Sequence, residues 1–233
     1  MGAVLGEALG DILRYGRQML PGACLALLLF LLLLPWRRKR LARSDLVSPP
    51  LREGALLLFL LFCAGLAALT VFPSNFWAYL LEPERWPQQS LLDFYPTAQE
   101  VWSRLSGLPQ ELPWLLTPFP LGVAWHFRNY WSAFLFLGNI GMFLPIGFFP
   151  ALLGRRPRWW KAFLSGFFAS LAIETIQLFI GRGTDLDDLI LNTAGALCGY
   201  WLYKLLQRLL PRAATCFNLQ ERGNAPVWKN VKN

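Results

Sequence analysis

The stretch GALLLFLLFCAGLAALTVF, Gly54 to Phe72, contains no charged residue. At ~1.5 Å per residue it is long enough to cross a ~30 Å hydrocarbon core as a helix. A second uncharged run, ACLALLLFLLLLPW from Ala23 to Trp36, precedes it. Together with 55% hydrophobic and only 15% charged residues over 233 positions, these runs exclude a plain soluble globule and place the chain in a membrane.

Apolar periodicity and length predict an all-α, polytopic bundle of about five transmembrane helices, at Met19–Trp36, Gly54–Phe72, Asn129–Leu153, Ala162–Ile180 and Leu186–Leu206. The segment WRRKRLARSDLVSPPLRE between the first two carries six basic and two acidic residues; GRRPRWWK between the third and fourth carries four basic and none acidic. Basic loops remain cytoplasmic, so the N-terminus and the long loop between helices two and three are expected outside and the C-terminus inside, where Lys204, Arg208 and Arg212 flank the last helix. The chain divides accordingly into an extracytoplasmic segment (1–18), a helix pair with its basic loop (19–73), an extracytoplasmic loop (74–128), a three-helix region (129–210) and a cytoplasmic polar tail (211–233) expected to be loosely ordered. The first eighteen residues read as a short surface helix.

The net charge of +8 does not point to nucleic acid. The basic residues lie in short blocks against the ends of apolar runs, which suits anionic lipid head groups and makes membrane lipids the expected partner. The basic block follows the first apolar run, whereas a cleavable signal has its charges in front, so that run is expected to stay attached. Cys24, Cys63 and Cys198 fall within apolar runs and Cys216 in the tail. Neither a disulfide, a zinc site nor any cofactor is expected from that spacing.

The outer loop is rich in Pro and Trp, a composition that opposes long regular helices and favours the membrane–water boundary. A short helix over Thr97–Leu105 is predicted there, because Thr97 and Glu100 have capping-box spacing. His126, the only histidine, lies in this loop without a catalytic partner near it in sequence.

Within the first four apolar segments Glu174 alone brings in a charge; the fifth carries its charges, Asp187, Asp188 and Lys204, near its ends. Glu174 lies ~9 Å below the outer end of its helix at ~1.5 Å per residue, with Gln177 on the same face. A carboxylate at such depth costs about 3 kcal/mol on insertion scales, and faces a bundle interior or a water-filled cavity. Asn192 reaches a similar depth on the fifth helix, on one face with Asp185, Asp188 and Gly195; Asn139 lies in the outer half of the third. These groups permit one polar cluster open to the outside, with Arg182 as the cation for Glu174 or the aspartates. Pro145 can kink the third helix, and Gly195 with Gly199 make a small-xxx-small packing face. Plainer roles stand beside these: Asn139, Gln177 and Asn192 as bonds between helices, and GTDLDD as a capped turn.

The pattern Asn139-x3-Phe143-x-Pro145-x-Gly147, then Glu174-x2-Gln177, Arg182, Asp188-x3-Asn192-Thr193-x-Gly195 and Gly199, resembles the VanZ-like family of bacterial membrane proteins, closely from Asn129 to Leu206 and upstream in hydropathy alone. The resemblance implies a small polytopic protein of the bacterial cytoplasmic membrane, in a family named for a member linked to glycopeptide (teicoplanin) resistance, with Asn139, Glu174, Gln177, Arg182, Asp188 and Asn192 as its polar positions. Three functions follow as expectations. The first is a non-enzymatic envelope protein binding a lipid-linked or cell-wall component and altering access to it. The second is an intramembrane enzyme on a lipid-linked head group, with Glu174 as acid or base; burial raises its pKa and a nearby Arg lowers it, leaving the sign open. In that reading Asp185, Asp187 and Asp188 offer a weak Mg²⁺ site. A transporter ranks last, for want of an internal repeat.

Overall fold

A computed structural model describes residues 2–73, 76–115, 130–180 and 186–222. Among them are eight α-helices: α1 (Gly2–Ala42), α2 (Pro50–Thr70), α3 (Phe76–Leu81), α4 (Ala98–Leu115), α5 (Tyr130–Leu153), α6 (Trp159–Ile180), α7 (Leu186–Leu209) and α8 (Pro211–Thr215). Four are long and apolar enough to cross a membrane: α1 over Gly16–Ala42, α2, α5 over Phe136–Leu153, and α6. The fifth expected span, α7, forms where predicted and packs against α5 and α6. It is less apolar than the others because Asp187 and Asp188 occupy its first turn and Arg208 its last. Each charge opposes the partial charge of its helix end.

The structure departs from the expected organisation in three places. First, α1 is one continuous helix from Gly2 through Pro21 and Pro35 to Ala42, not a surface helix followed by a span. Second, α4 runs to Leu115, beyond the expected Leu105 and past Pro109. Its start is as read: Thr97 N–H donates to the Glu100 carboxylate at 2.7 Å, and Glu100 N–H donates back to the Thr97 hydroxyl at 3.3 Å. The Thr97 backbone and side-chain hydrogen bonds hold that carboxyl below its ordinary range. Third, the described part of the tail carries regular structure, a short helix and a strand, where a loose tail was expected. After α8, β2 (Gln220–Glu221) pairs antiparallel with β1 (Leu46–Val47) in the α1–α2 connection. A two-stranded ribbon alone is marginal; here Arg222 N–H donates to the Asp45 carbonyl at 2.8 Å and the Arg52 guanidinium to the Phe217 carbonyl at 2.8 Å.

The bundle is built inside out relative to a water-soluble helix. On α6 the buried residues are Ala162, Gly166, Ser170, Glu174 and Gln177, at steps of three and four, while Phe163, Leu164, Phe168, Leu171, Ile176 and Phe179 are exposed. Small and polar groups therefore face the neighbouring helices and the large apolar ones face outward, as a hydrocarbon solvent requires.

Glycine sets the closest approaches. A Cβ added at Gly147 on α5 would stand 1.7 Å from the Ala196 carbonyl oxygen on α7. Added at Gly195 it would meet the Ile140 carbonyl oxygen at 2.3 Å, and at Gly199 that of Leu144 at 2.0 Å. The obstacle in each case is backbone, which has no rotamer to yield. Gly166 brings α6 onto the same spot, its added Cβ lying 2.5 Å from that of Ala196, a residue with no exposure at all. Beside this crossing, Phe143, Ile146, Ala196 and Leu66 form one apolar cluster that joins α2 to the three-helix core; Ala151, Leu152, Ala162, Tyr200 and Tyr203 form another nearer the basic end.

Replacing Gly195 or Gly199 by Ala is expected to destabilise the bundle by about 1–3 kcal/mol or more, the range for overpacking. Gly141→Ala, also on α5 but with nothing within 4 Å of its added Cβ, is expected to be neutral or stabilising. Unfolding of the three variants in detergent, followed by circular dichroism, checks the contrast.

Candidate functional site

The three core helices bring their polar side chains together toward one end of the bundle. Asn139, two to three turns into α5, donates its amide to the Asp188 carboxylate in the first turn of α7. Farther along α7, Asn192 donates to the Ser170 hydroxyl of α6 at 3.0 Å. Ser170 is fully buried, Asn192 is 6% exposed, and Glu174, one turn beyond Ser170 on the same stripe, is 9% exposed. Gln177, 8% exposed, donates at 3.2 Å to the Thr70 carbonyl in the last turn of α2. That carbonyl is among those a helix end leaves without an intrahelical donor, so Gln177 also ties α2 to α6.

Five of the seven predicted site residues thus occupy this seam: Asn139, Glu174, Gln177, Asp188 and Asn192. Arg182 and Asp185 lie outside the described residues. The structural positions are equally specific, because Gly147, Gly195 and Gly199 form the α5–α7 crossing just below it. Pro145 leaves α5 unbroken, the helix continuing through it and through Pro150. Among the described residues no three His, Cys, Asp or Glu side chains gather into a group that would hold a metal ion.

Two further groups take part in the seam. Ser170 accepts from Asn192, and the Thr70 carbonyl accepts from Gln177. The signal for Ser170 was present, since Gly166, Ser170 and Glu174 recur every fourth residue. The carbonyl has none, because main-chain acceptors are the same at every position.

The arrangement is polar, enclosed and incompletely satisfied. Among the described residues Asn192 Oδ1 is buried with no hydrogen-bond partner. A buried acceptor in that state costs about 1–3 kcal/mol, and a hydroxyl or amine reaching it would recover that energy. Beside it, the Glu174 carboxyl can accept hydrogen bonds when ionised or donate one when protonated.

The Asn139–Asp188 pair is open to direct measurement. A double-mutant cycle with Asn139→Ala and Asp188→Ala is expected to return a coupling of about 0.5–2 kcal/mol, the scale of polar contacts between membrane helices. Additive single effects would mean that the two side chains do not act as a pair.

A model of the family described as VanZ/LLP1 matches residues 58–207. The match covers more than half of the chain and begins within α2, upstream of the three-helix region that carries the polar positions. Neither the curated proteins nor the solved structures include a match to this chain. With its apolar helices and the family match over the whole of the polar seam, the chain is a multi-pass membrane protein that belongs to the VanZ-like family.

Proposed function

We propose that this protein is a non-enzymatic component of the bacterial cell envelope that binds a lipid-linked or cell-wall component at the seam between α5, α6 and α7 and alters access to it. The observation that carries this reading is the gathering of Glu174, Gln177, Asn192 and the Asn139–Asp188 pair between three helices whose outer faces are apolar. Polar groups in hydrocarbon are expensive, and a bundle needing only rigidity has the glycine crossing for that purpose. The Asn192 acceptor and the Glu174 carboxyl suit a head group rich in hydroxyl or amine donors.

Charge distribution supports an orientation for this reading. Arg37, Arg38, Lys39, Arg40, Arg52, Arg155, Arg156, Arg158 and Lys161 flank the ends of α1, α2, α5 and α6 remote from the seam. Basic connections stay in the cytoplasm. The seam then lies toward the outer face of the cytoplasmic membrane, with the N-terminus outside and the C-terminus inside. Glycopeptides and lipid-linked wall intermediates meet at that outer face, which connects the reading to teicoplanin tolerance.

Expression of the wild type in a susceptible bacterium is expected to raise the inhibitory concentration of teicoplanin, and Glu174→Gln at equal membrane abundance is expected to return it to that of empty vector. A wild type indistinguishable from empty vector would remove the resistance role. A Glu174→Gln variant as protective as the wild type would remove the carboxyl from the site.

A further inference from the structure

At the end of the bundle opposite Glu174, the short connection between α5 and α6 borders two cavities that share Gly154 and Arg155. The first, about 280 Å³, has an apolar floor that includes Pro150, Ala151, Ala162 and Tyr200, and a rim of Arg155, Arg156, Arg158 and Lys161. The second, about 400 Å³, brings Arg52 to the other side of Arg155. Topology alone explains a basic run in this connection. It does not explain why the run rims a hollow with an apolar base.

Charge balance points to what fills it. Among the described residues Arg155, Arg156, Arg158 and Lys161 make no ion pair. Glu53 is engaged by Arg37 at 2.5 Å, and Glu221 lines only the second cavity. Lys161 Nζ lies 5.7 Å from the centroid of the Trp160 ring, and Trp159 beside it is 57% exposed. Exposed tryptophans mark the level of lipid head groups. Several unpaired cations at that level call for an anion, and the planar guanidinium fork matches phosphate oxygens in pairs. A soluble phosphate would leave Pro150, the exposed apolar side chain above the buried Ala151 and Tyr200, facing water, whereas a phospholipid covers it with glycerol and the first acyl carbons.

We propose that the cavity rimmed by Arg155, Arg156, Arg158 and Lys161 is a binding site for the phosphate head group of an anionic phospholipid, with the lipid's apolar portion against the Pro150–Ala151–Tyr200 floor. The site is separate from the α5–α6–α7 seam and does not depend on its proposed role.

Native mass spectrometry of the full chain in detergent, supplied with phosphatidylglycerol or phosphatidylcholine, tests the site. Wild-type protein is expected to retain phosphatidylglycerol in preference to phosphatidylcholine, and millimolar inorganic phosphate is expected not to displace it. Arg155→Gln with Arg158→Gln should lower phosphatidylglycerol retention roughly tenfold or more, following the contribution of each basic residue to anionic-lipid attraction. Arg38→Gln with Arg40→Gln, two basic residues at the same end but outside the first cavity, should leave retention near wild type. Arg155, Arg156 and Arg158 are exposed, so their substitution spares the core, and equal melting temperatures in lipid-free detergent verify it. Arg155→Lys with Arg158→Lys, which keeps the charge, should recover part of the retention. Wild-type retention in the Gln variant, equal retention of phosphatidylcholine, or displacement by inorganic phosphate would each overturn the proposal.

Discussion

The contact on which the rest of the molecule depends is the glycine-to-carbonyl crossing of α5 and α7. Gly147, Gly195 and Gly199 let main chain meet main chain, with Ala196 sealed at the centre and Gly166 admitting α6 beside it. Water does not push membrane helices together, because lipid tails are as apolar as leucine; close packing and bonds between helices must do so. Separation fixed by backbone leaves little room for sliding. Polar side chains nearer one end of the crossing, on α5 and α7, are therefore brought within bonding reach at a defined register.

That register gives the polar residues two kinds of work. The Asn192–Ser170 and Gln177–Thr70 bonds stitch α7 to α6 and α6 to α2, and are structural as well as polar. Glu174 sits among them, buried in the same stripe as Ser170 and Gln177. The opposite end is stitched differently, by Arg37 to Glu53, by Arg52 to the Phe217 carbonyl and by the short β1–β2 ribbon. One end thus concentrates amides and carboxyls, and the other concentrates guanidinium groups. This asymmetry supports both the proposed orientation and the proposed anionic-lipid site.

Much of this was legible in the sequence because hydrocarbon imposes simple rules. Uncharged length predicted the helices of the bundle to within a few residues at most ends, and polar residues breaking the apolar runs marked Asn139, Glu174 and Asn192 on three different helices. The pairing was harder to foresee: Asn139 bonds Asp188, and Asn192 bonds Ser170. A hydroxyl in a membrane helix usually has an easier acceptor on its own backbone, as Thr175 does on the Leu171 carbonyl and Thr193 on that of Leu189. Ser170 therefore carried little signal until its place in the Gly166–Ser170–Glu174 stripe was seen. Gly195 and Gly199 announced close packing, but their partners are the carbonyls of Ile140 and Leu144, and no side chain identifies a carbonyl. The regular structure in the tail was missed for the same reason, since main-chain pairing and the Arg52–Phe217 bond hold it.

The central claim is that α5 and α7 meet along one face, with Asn139 against Asp188 and their apolar faces turned to lipid. Oxidative cross-linking in native membranes tests it, using a chain whose four native cysteines are replaced and a protease site placed between α5 and α6. Asn139→Cys paired with Asp188→Cys is expected to form a disulfide that keeps the cleaved halves together. Leu137→Cys paired with Ile190→Cys, at positions 54% and 49% exposed, is expected to leave them separate. The reverse outcome, a bond between the lipid-facing pair and none between Asn139 and Asp188, would contradict the account.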